Sequence, residues 1–234
     1  MRKKILFILA VSLLVLSAGC REKEPLAARA TVDVPGAKDR HQADSSSGES
    51  LHAGQESSKN SQAKGTNPHR ETAILAGGCF WGMEELLRAV SGVIDTEVGY
   101  TGGQVANPRY KDVKTGRSGH AESVQVLFDS TKISYRSLLR DHFFKIHDPT
   151  TVNRQGNDRG SQYRSVIFYM NDQQKAVAES VIAEINQNGS WGAPIVTRLE
   201  PAGEFTSAES EHQDYLQKHP GGYTCHYFRE DLSF

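Results

Sequence analysis

The stretch Gly77-Gly78-Cys79-Phe80-Trp81-Gly82 constrains this chain more than any other. Ahead of it, residues 72–76 form a short apolar run that reads as a strand. Behind it, residues 83–90 carry apolar side chains at helical spacing. The backbone must therefore pass from strand to helix within a few residues, and two glycines permit so sharp a turn. Cys79 falls at or beside the helix N-terminus, where free N–H groups and the helix dipole favour thiolate over thiol. Phe80 and Trp81 set an aromatic, water-poor wall beside that sulfur. A buried structural cysteine is the commoner role for a lone Cys, so the motif alone leaves packing and chemistry equally open.

The chain before this unit is of another kind. Arg2-Lys3-Lys4 is a basic n-region, and the apolar run 5–16 is too short for a comfortable membrane span. Ser17-Ala18-Gly19 then leads into Cys20. This resembles the lipobox of bacterial lipoproteins, in which the cysteine is lipidated and becomes the mature N-terminus. Ser17 stands where that motif prefers Leu, with Leu16 one step back. Residues 1–19 are expected to be an export signal and Cys20 a lipid anchor; ordinary signal cleavage and an uncleaved anchor are the alternatives. Several acyl chains on one cysteine hold a protein firmly to a membrane. Removing Arg2, Lys3 and Lys4 with the signal takes the formal charge from −1 to −4. Neither value makes a case for nucleic-acid binding.

Residues 21–69 are rich in Ser, Ala, Gly, Gln and Lys, with almost no large apolar side chains. Such a segment buries too little apolar surface to offset its chain entropy. It is expected to be a flexible coil with an end-to-end distance of roughly 40 Å. Residues 20–70 thus read as anchor cysteine plus linker, holding a folded domain over 71–234 off a membrane surface. His41, His52 and His69 have no metal-ligand spacing and read as solvated.

Within the folded domain, strands are expected at 93–100, 122–128, 164–169 and 195–200, and helices at 134–146, 172–188 and 210–218. Val124, Val126 and Phe128 alternate onto one face, and Asn188-Gly189 is a helix stop. Asn107-Pro108-Arg109-Tyr110 reads as a turn, and the Gly-rich tail from Pro220 as coil. The order strand-helix-strand-strand-helix-strand, then helix-strand, predicts a ferredoxin-like α+β sandwich. Its sheet would be mainly antiparallel, with helices packed on one face.

Four clusters of polar and aromatic residues fall at element ends and in loops, where sites are usually built. The Cys79 turn is the first. Gly119-His120-Ala121-Glu122 opens a strand, and a carboxyl there, enclosed by aromatics, would have a raised pKa and could donate a proton at neutral pH. The polar stretch 147–163 is long enough to suggest function. Gly221-Gly222-Tyr223-Thr224-Cys225 would be mobile enough to carry Cys225 to Cys79. Three cysteines are too few for a disulfide framework. With Cys20 lipidated, Cys79 and Cys225 remain as a pair. A static disulfide is the default in an exported protein; an attacking and a resolving thiol is the alternative, and suits a helix-start cysteine facing one on a Gly-rich tail.

Several blocks recur together here: Gly77-Gly78-Cys79-Phe80-Trp81-Gly82, Gly99-Tyr100-Thr101-Gly102-Gly103, Asn107-Pro108-Arg109-Tyr110, Gly119-His120-Ala121-Glu122 and His147-Asp148-Pro149-Thr150. They continue with Arg154-Gln155-Gly156-Asn157-Asp158, Gln162-Tyr163-Arg164-Ser165, His212-Gln213-Asp214-Tyr215-Leu216 and Gly221-Gly222-Tyr223-Thr224-Cys225. In this order they resemble the A-type peptide methionine sulfoxide reductases, over residues 72 to about 228. The resemblance implies that Cys79 attacks the sulfur of an oxidised methionine, in a pocket where Phe80 and Trp81 take the S-methyl group. Glu122 would be the acid at the sulfoxide oxygen, Tyr110 and Tyr163 would help hold that oxygen, and Asp158 would be a further polar residue of the site. Stabilising the oxygen in a dry pocket would supply most of the acceleration. Cys79 would be left as a sulfenic acid, and Cys225 would condense with it to a disulfide. An external dithiol, thioredoxin or a thioredoxin-like domain, would reset the enzyme. The resemblance further implies action on the S epimer, free or in proteins, hence repair of oxidised proteins and peptides by a monomer with no metal or bound cofactor. Some members carry two C-terminal cysteines; Cys225 alone implies one-step resolution.

Export would set the domain facing the periplasm or cell surface of a bacterium, beyond cytosolic thioredoxin. A membrane-delivered dithiol donor is therefore expected. Two other readings compete: a cysteine hydrolase pairing Cys79 with His120 or His147, and a lipid-anchored binding module with a permanent Cys79–Cys225 disulfide. A metal site lacks any short-range ligand pair. Asn188-Gly189-Ser190 reads as a helix-ending turn rather than a glycosylation site.

Overall fold

The computed structural model describes residues 69–234. The expected export signal over 1–19, Cys20, and the linker through residue 68, with His41 and His52, lie outside the described residues. The first strand, β1, is Arg70–Gly77 and starts one residue before the expected domain boundary.

The strand-to-helix passage runs from β1 into α1, Phe80–Arg88, so the helix begins three residues earlier than its apolar spacing suggests. Strands β2 (Val93–Thr101) and β3 (Ala121–Asp129) follow, with the one-turn helix α2, Tyr110–Val113, between them. β1 lies at the centre of the sheet. It pairs antiparallel with β3, Leu75 opposite Val124, and antiparallel with β6 (Ser165–Tyr169), Leu75 opposite Ile167. β2 pairs antiparallel with the far edge of β3, Tyr100 opposite Glu122. The order β6-β1-β3-β2, reached through βαββαβ connections, is the ferredoxin-like arrangement. Two further strands extend it. β7, Arg198–Pro201, lies parallel to β6, joined to it through the long helix α5, Asp172–Asn188. β8, Thr206–Ser207, adds two pairs to β2. A small hairpin of β4 (Arg154–Gln155) and β5 (Asp158–Arg159), with a 3₁₀ turn at Ser161–Tyr163, gives local structure to the polar stretch before β6. The last helix, α6, is only Tyr215–Lys218.

Alternation divides the side chains of each strand between two faces. Ala73 and Leu75 join Val98, Val124, Val126, Phe128 and Ile167 on the face covered by Phe80, Met83 and Leu87 of α1 and Ala178, Val181 and Ile185 of α5. Ile74, Ala76, Val166 and Phe168 point the other way, where extended chain bearing Ala202 and Phe205 covers them. Helices therefore lie on one face, as expected.

The helix expected over 134–146 is present with a local change of pitch. It comprises α3 (Tyr135–Ser137), a π-helical segment Leu138–Phe143, and α4 (Phe144–Ile146). Leu138, Leu139, Phe143 and Phe144 are all fully buried. The two pairs stand five residues apart, a spacing that one π-turn places on one face and an α-helix does not. α5 starts at the Asn171 cap, whose side chain accepts the Gln174 N–H at 2.8 Å. It ends at Gly189, φ +72°, which donates to Ile185 O at 3.0 Å.

Leu75 is buried on both strand neighbours at the centre of the sheet. Leu75→Ala is expected to lower stability by about 2–5 kcal/mol, the range for Leu-to-Ala cavities. Urea unfolding should show a lower midpoint with an unchanged slope.

Candidate active site

Two glycines shape the turn that presents the cysteine. Gly78 has φ +111°, and a Cβ there would lie 2.5 Å from Gln155 Cγ. A Cβ on Gly77 would meet the His147 ring at 2.8 Å. The β1–α1 turn is thus pressed against the polar stretch 147–163, which only bare backbone allows. Cys79 is the N-cap residue of α1 and is buried. From the next residue, the Phe80 N–H donates to Glu122 Oε2 at 3.2 Å. Glu122 projects from the start of β3 and is also buried. One backbone bond therefore locks the acid of β3 to the first turn of α1.

Burial pushes the Glu122 carboxyl up to about 8, opposed by the Phe80 N–H and reinforced by Asp158. It is protonated at neutral pH, as the sequence predicts for an enclosed carboxyl at this place. Cys79 departs from expectation. Position at a helix start favours a thiolate, and the Trp81 N–H does pull its pKa down. Burial and then the Glu122 carboxyl outweigh that pull and move the thiol far up. Cys79 is therefore a thiol here, because desolvation of a buried anion exceeds the gain from one helix terminus.

A cavity of about 140 Å³ opens over these groups, lined by Cys79, Phe80, Trp81, Tyr110, Glu122, Asp158, Tyr163 and Tyr223. Pockets for drug-sized ligands run to roughly 300–1,000 Å³; this one matches the end of a single side chain. Tyr110 reaches it from α2, where its N–H donates to Glu209 Oε1 at 2.9 Å while Tyr100 OH donates to Glu209 Oε2 at 2.8 Å. Tyr163 comes from the 3₁₀ turn and Asp158 from β5. Burial first, then Glu122, raises both Tyr110 and Tyr163, so each keeps its hydroxyl proton to donate.

The C-terminal stretch closes the site. Trp81 stacks on Tyr215 with ring centroids 3.8 Å apart, and its Nε1–H donates to His212 Nδ1 at 3.3 Å. His212 also lies 4.4 Å from the Tyr110 ring. Asp214 fastens this strap to α1, donating its N–H to Glu84 Oε2 at 3.0 Å and pairing with Arg88 at 2.7 Å. Further on, Tyr223 OH donates to Asp158 Oδ1 at 2.9 Å and the Cys225 thiol to Asp158 Oδ2 at 3.1 Å. Gln155 Nε2 donates to Cys225 O at 3.0 Å. The tail expected to be mobile thus has Cys225 already docked beside Cys79, and both are free thiols. Gly82 makes room for it: a Cβ there would lie 2.2 Å from Thr224 Oγ1 and 2.8 Å from His226 Nδ1.

The two histidines considered as hydrolase bases are engaged elsewhere. His147 bonds Phe143 O and Ser165 Oγ, each at 2.8 Å. His120 bonds Val105 O at 2.8 Å, beside a separate cavity of about 470 Å³ that holds no cysteine. Among the described residues, no group of three or more His, Cys, Asp or Glu is arranged to hold a metal ion.

Comparison with known proteins gives the same answer from three directions. Residues 71–232 match the family model of peptide methionine sulfoxide reductase. The chain belongs to this family. It is 57% identical to peptide methionine sulfoxide reductase MsrA 1 of Mesorhizobium japonicum, over 68% of this chain and 90% of that one. It is 55% identical to MsrA of Mycobacterium ulcerans, over 70% and 92% respectively. Among solved structures, reduced Mxr1 of Saccharomyces cerevisiae superposes with a TM-score of 0.65 at 40% identity, covering 69% of this chain and 93% of that one. Methionine sulfoxide reductase A of Corynebacterium diphtheriae gives 0.59 at 37% identity, covering 68% and 79%.

Cys79, Phe80, Trp81, Tyr110, Glu122, Asp158 and Tyr163 all line this cavity and Cys225 lies beside it, whereas His120 and His147 do not reach it. Sequence reasoning did not single out Tyr223, His212, Tyr215, Glu209 or His226. Four of these belong to or adjoin blocks already noted, 212–216 and 221–225, and that adjacency was the available signal; for Glu209 there was none.

Glu122 binds a proton in the folded state between its ordinary value of 4.5 and about 8, where the unfolded chain has lost it. Its burial therefore lowers stability as pH rises through that window. Glu122→Gln is expected to fold more stably than wild type, by a larger margin at pH 8 than at pH 5, while losing roughly 100-fold or more in turnover. Thermal unfolding at both pH values and a turnover assay check this. Gly82→Ala is expected to push the tail aside and speed alkylation of Cys225 by iodoacetamide severalfold, read by mass spectrometry of the peptide.

Proposed function

We propose that this protein reduces methionine S-sulfoxide, in peptides and oxidised proteins or as the free amino acid, through a Cys79 sulfenic acid that Cys225 resolves. The observation that carries the reading is a buried thiol facing a protonated carboxyl across a side-chain-sized cavity with two tyrosine hydroxyls. Phe80 and Trp81 supply an apolar wall for the S-methyl group. A sulfoxide oxygen entering here meets three donors, Glu122, Tyr110 and Tyr163, in a place with little water. Hydrogen bonding to that oxygen makes the sulfur electrophilic and stabilises the charge that develops as the S–O bond weakens.

The balance is simple. Cys79 sulfur attacks the sulfoxide sulfur as Glu122 protonates its oxygen; the methionine S–O bond then breaks as the hydroxyl passes to the Cys79 sulfur, giving methionine and Cys79 sulfenic acid. Glu122 gives its proton to the oxygen and regains the one Cys79 loses, so no external proton is needed. The Cys225 thiol then displaces the sulfenic oxygen as water and forms a Cys79–Cys225 disulfide. An external dithiol of the thioredoxin type reduces the disulfide by exchange. Cys225 is half-buried and near the tail surface, a position suited to attack by such a partner.

Residues 1–20 support a place of action outside the cytoplasm, with the domain tethered by a lipid on Cys20 and facing the periplasm or cell surface. The physiological reductant would then be an extracytoplasmic thioredoxin-like protein, and the role repair of oxidised surface and envelope proteins.

A turnover assay with S- and R-sulfoxide peptides and dithiothreitol tests the chemistry. Wild type should reduce the S epimer alone. Cys79→Ser should be inactive, and Cys225→Ser should release about one methionine per enzyme before it slows. Absence of turnover by wild type with both thiols titrating as free would overturn the reading. Metabolic labelling with a palmitate analogue tests the anchor: wild type should carry the label and Cys20→Ser should not.

A further inference from the structure

Cys225 lies on chain without regular secondary structure, yet its sulfur has defined neighbours. It donates to Asp158 Oδ2 at 3.1 Å, and His226 Nδ1 stands 3.5 Å from it. The tautomer of that imidazole is set on its far side. His226 Nε2 lies 2.8 Å from Gly77 O. A carbonyl oxygen only accepts, so Nε2 carries the proton and Nδ1 turns its lone pair toward the thiol. Burial lowers the His226 pKa to about 4, with Gly77 O and Asp158 acting upward and Arg229 downward. His147 and the Cys225 thiol are the other titratable groups facing it. The imidazole is therefore neutral, with the Nδ1 lone pair unprotonated, across the ordinary pH range.

Cys225 is in the opposite situation. Burial, then Asp158, push its thiol up to about 12. Thiolate is the nucleophile of disulfide chemistry, and at neutral pH this cysteine supplies almost none unaided. The Cys79 N–H, which pulls the Cys225 pKa the other way, is positioned to stabilise negative charge once it forms on that sulfur.

We propose that Asp158 and His226 form a paired proton acceptor for Cys225, so that the resolving step is base-assisted. This rests on the reading that Cys79 becomes a sulfenic acid. As the Cys225 sulfur bonds to the Cys79 sulfur, its proton passes to the Asp158–His226 pair. The Cys79 S–O bond breaks, hydroxide leaves with the bonding electrons, and the proton taken up by the pair makes it water. Cys225 is oxidised and the Cys79 sulfur reduced, so no outside oxidant enters. Asp158 thereby has a task in the second step besides lining the substrate cavity. His226 has one that its bond to Gly77 O alone would not give it.

The test is a single turnover of the full-length protein with an S-sulfoxide peptide and no reductant. Released methionine, disulfide, and Cys79 sulfenic acid trapped by dimedone are measured separately. In wild type the disulfide should keep pace with methionine, with little adduct. His226→Gln keeps an amide donor for Gly77 O but has no basic lone pair, and Asp158→Asn keeps the shape without the carboxyl. In the double variant the disulfide should lag methionine at least tenfold and the Cys79 adduct should accumulate. Between pH 6 and 8 its disulfide rate should climb about tenfold per pH unit, following the solvent-generated thiolate, while the wild-type rate stays nearly level. Should the double variant release no methionine, hydrogen peroxide makes the Cys79 sulfenic acid directly and His226→Gln is read alone in the same way. Disulfide formation at the wild-type rate and pH profile in these variants overturns the proposal. Failure of wild type to release methionine overturns the reductase reading instead.

Discussion

The hydrogen bond from the Phe80 N–H to the Glu122 carboxyl is the contact on which the rest of the site depends. It joins the β1–α1 turn to β3, two strands already paired at the centre of the sheet. Sheet and helix together take Glu122 out of water, and an ionised carboxylate there would be costly with so few partners. The group responds by keeping its proton up to about pH 8. The same confinement governs Cys79, whose thiol is raised by burial and by the neighbouring carboxyl. Glu122 and Cys79 are thus both held in their protonated forms by one packing arrangement. Chemistry that must move a proton to oxygen while freeing a sulfur lone pair starts from the right state.

Around this contact the site is built from segments with little regular structure, held by specific seats. Glu209 fixes Tyr110 and Tyr100 through its two oxygens. His212 and Tyr215 brace Trp81 from the outside. Asp158 gathers Tyr223 and Cys225 onto one carboxyl. Glycines at 77, 78 and 82 provide the seats, since a side chain at any of them would collide with His147, Gln155 or the tail. Cys225 is consequently docked beside Cys79 instead of arriving by a long swing. In the mechanism proposed above, that would shorten the life of the sulfenic acid, which is reactive toward any thiol nearby.

Much of the architecture was legible in the chain because its determinants are local. The alternation through Val124, Val126 and Phe128 marks β3, and Asn188-Gly189 marks the end of α5. The two-residue strands β4, β5 and β8 carry no period to read. Their pairing is a consequence of neighbours, as Thr206 finding Tyr100 shows. The π-helical segment escaped for a related reason. Leu138, Leu139, Phe143 and Phe144 are compatible with an ordinary amphipathic helix until the core demands that all four be buried together.

By itself the sequence determined the βαββαβ order, the nucleophile at a strand-to-helix turn, and the blocks that bring Tyr110, Glu122, Asp158, Tyr163 and Cys225 into play. The element order and the Cys79 turn follow from side-chain periodicity and glycine placement, and the other site residues from the family resemblance those blocks carry. Tertiary structure alone decided the protonation of Cys79, the tautomer of His226 and the seat of Cys225. Local rules gave Cys79 the helix dipole and hence a thiolate; burial beside Glu122 reverses that, because desolvation depends on what surrounds an atom in space. His226 acquires its lone pair toward Cys225 only because Gly77, 149 residues earlier, accepts its other proton.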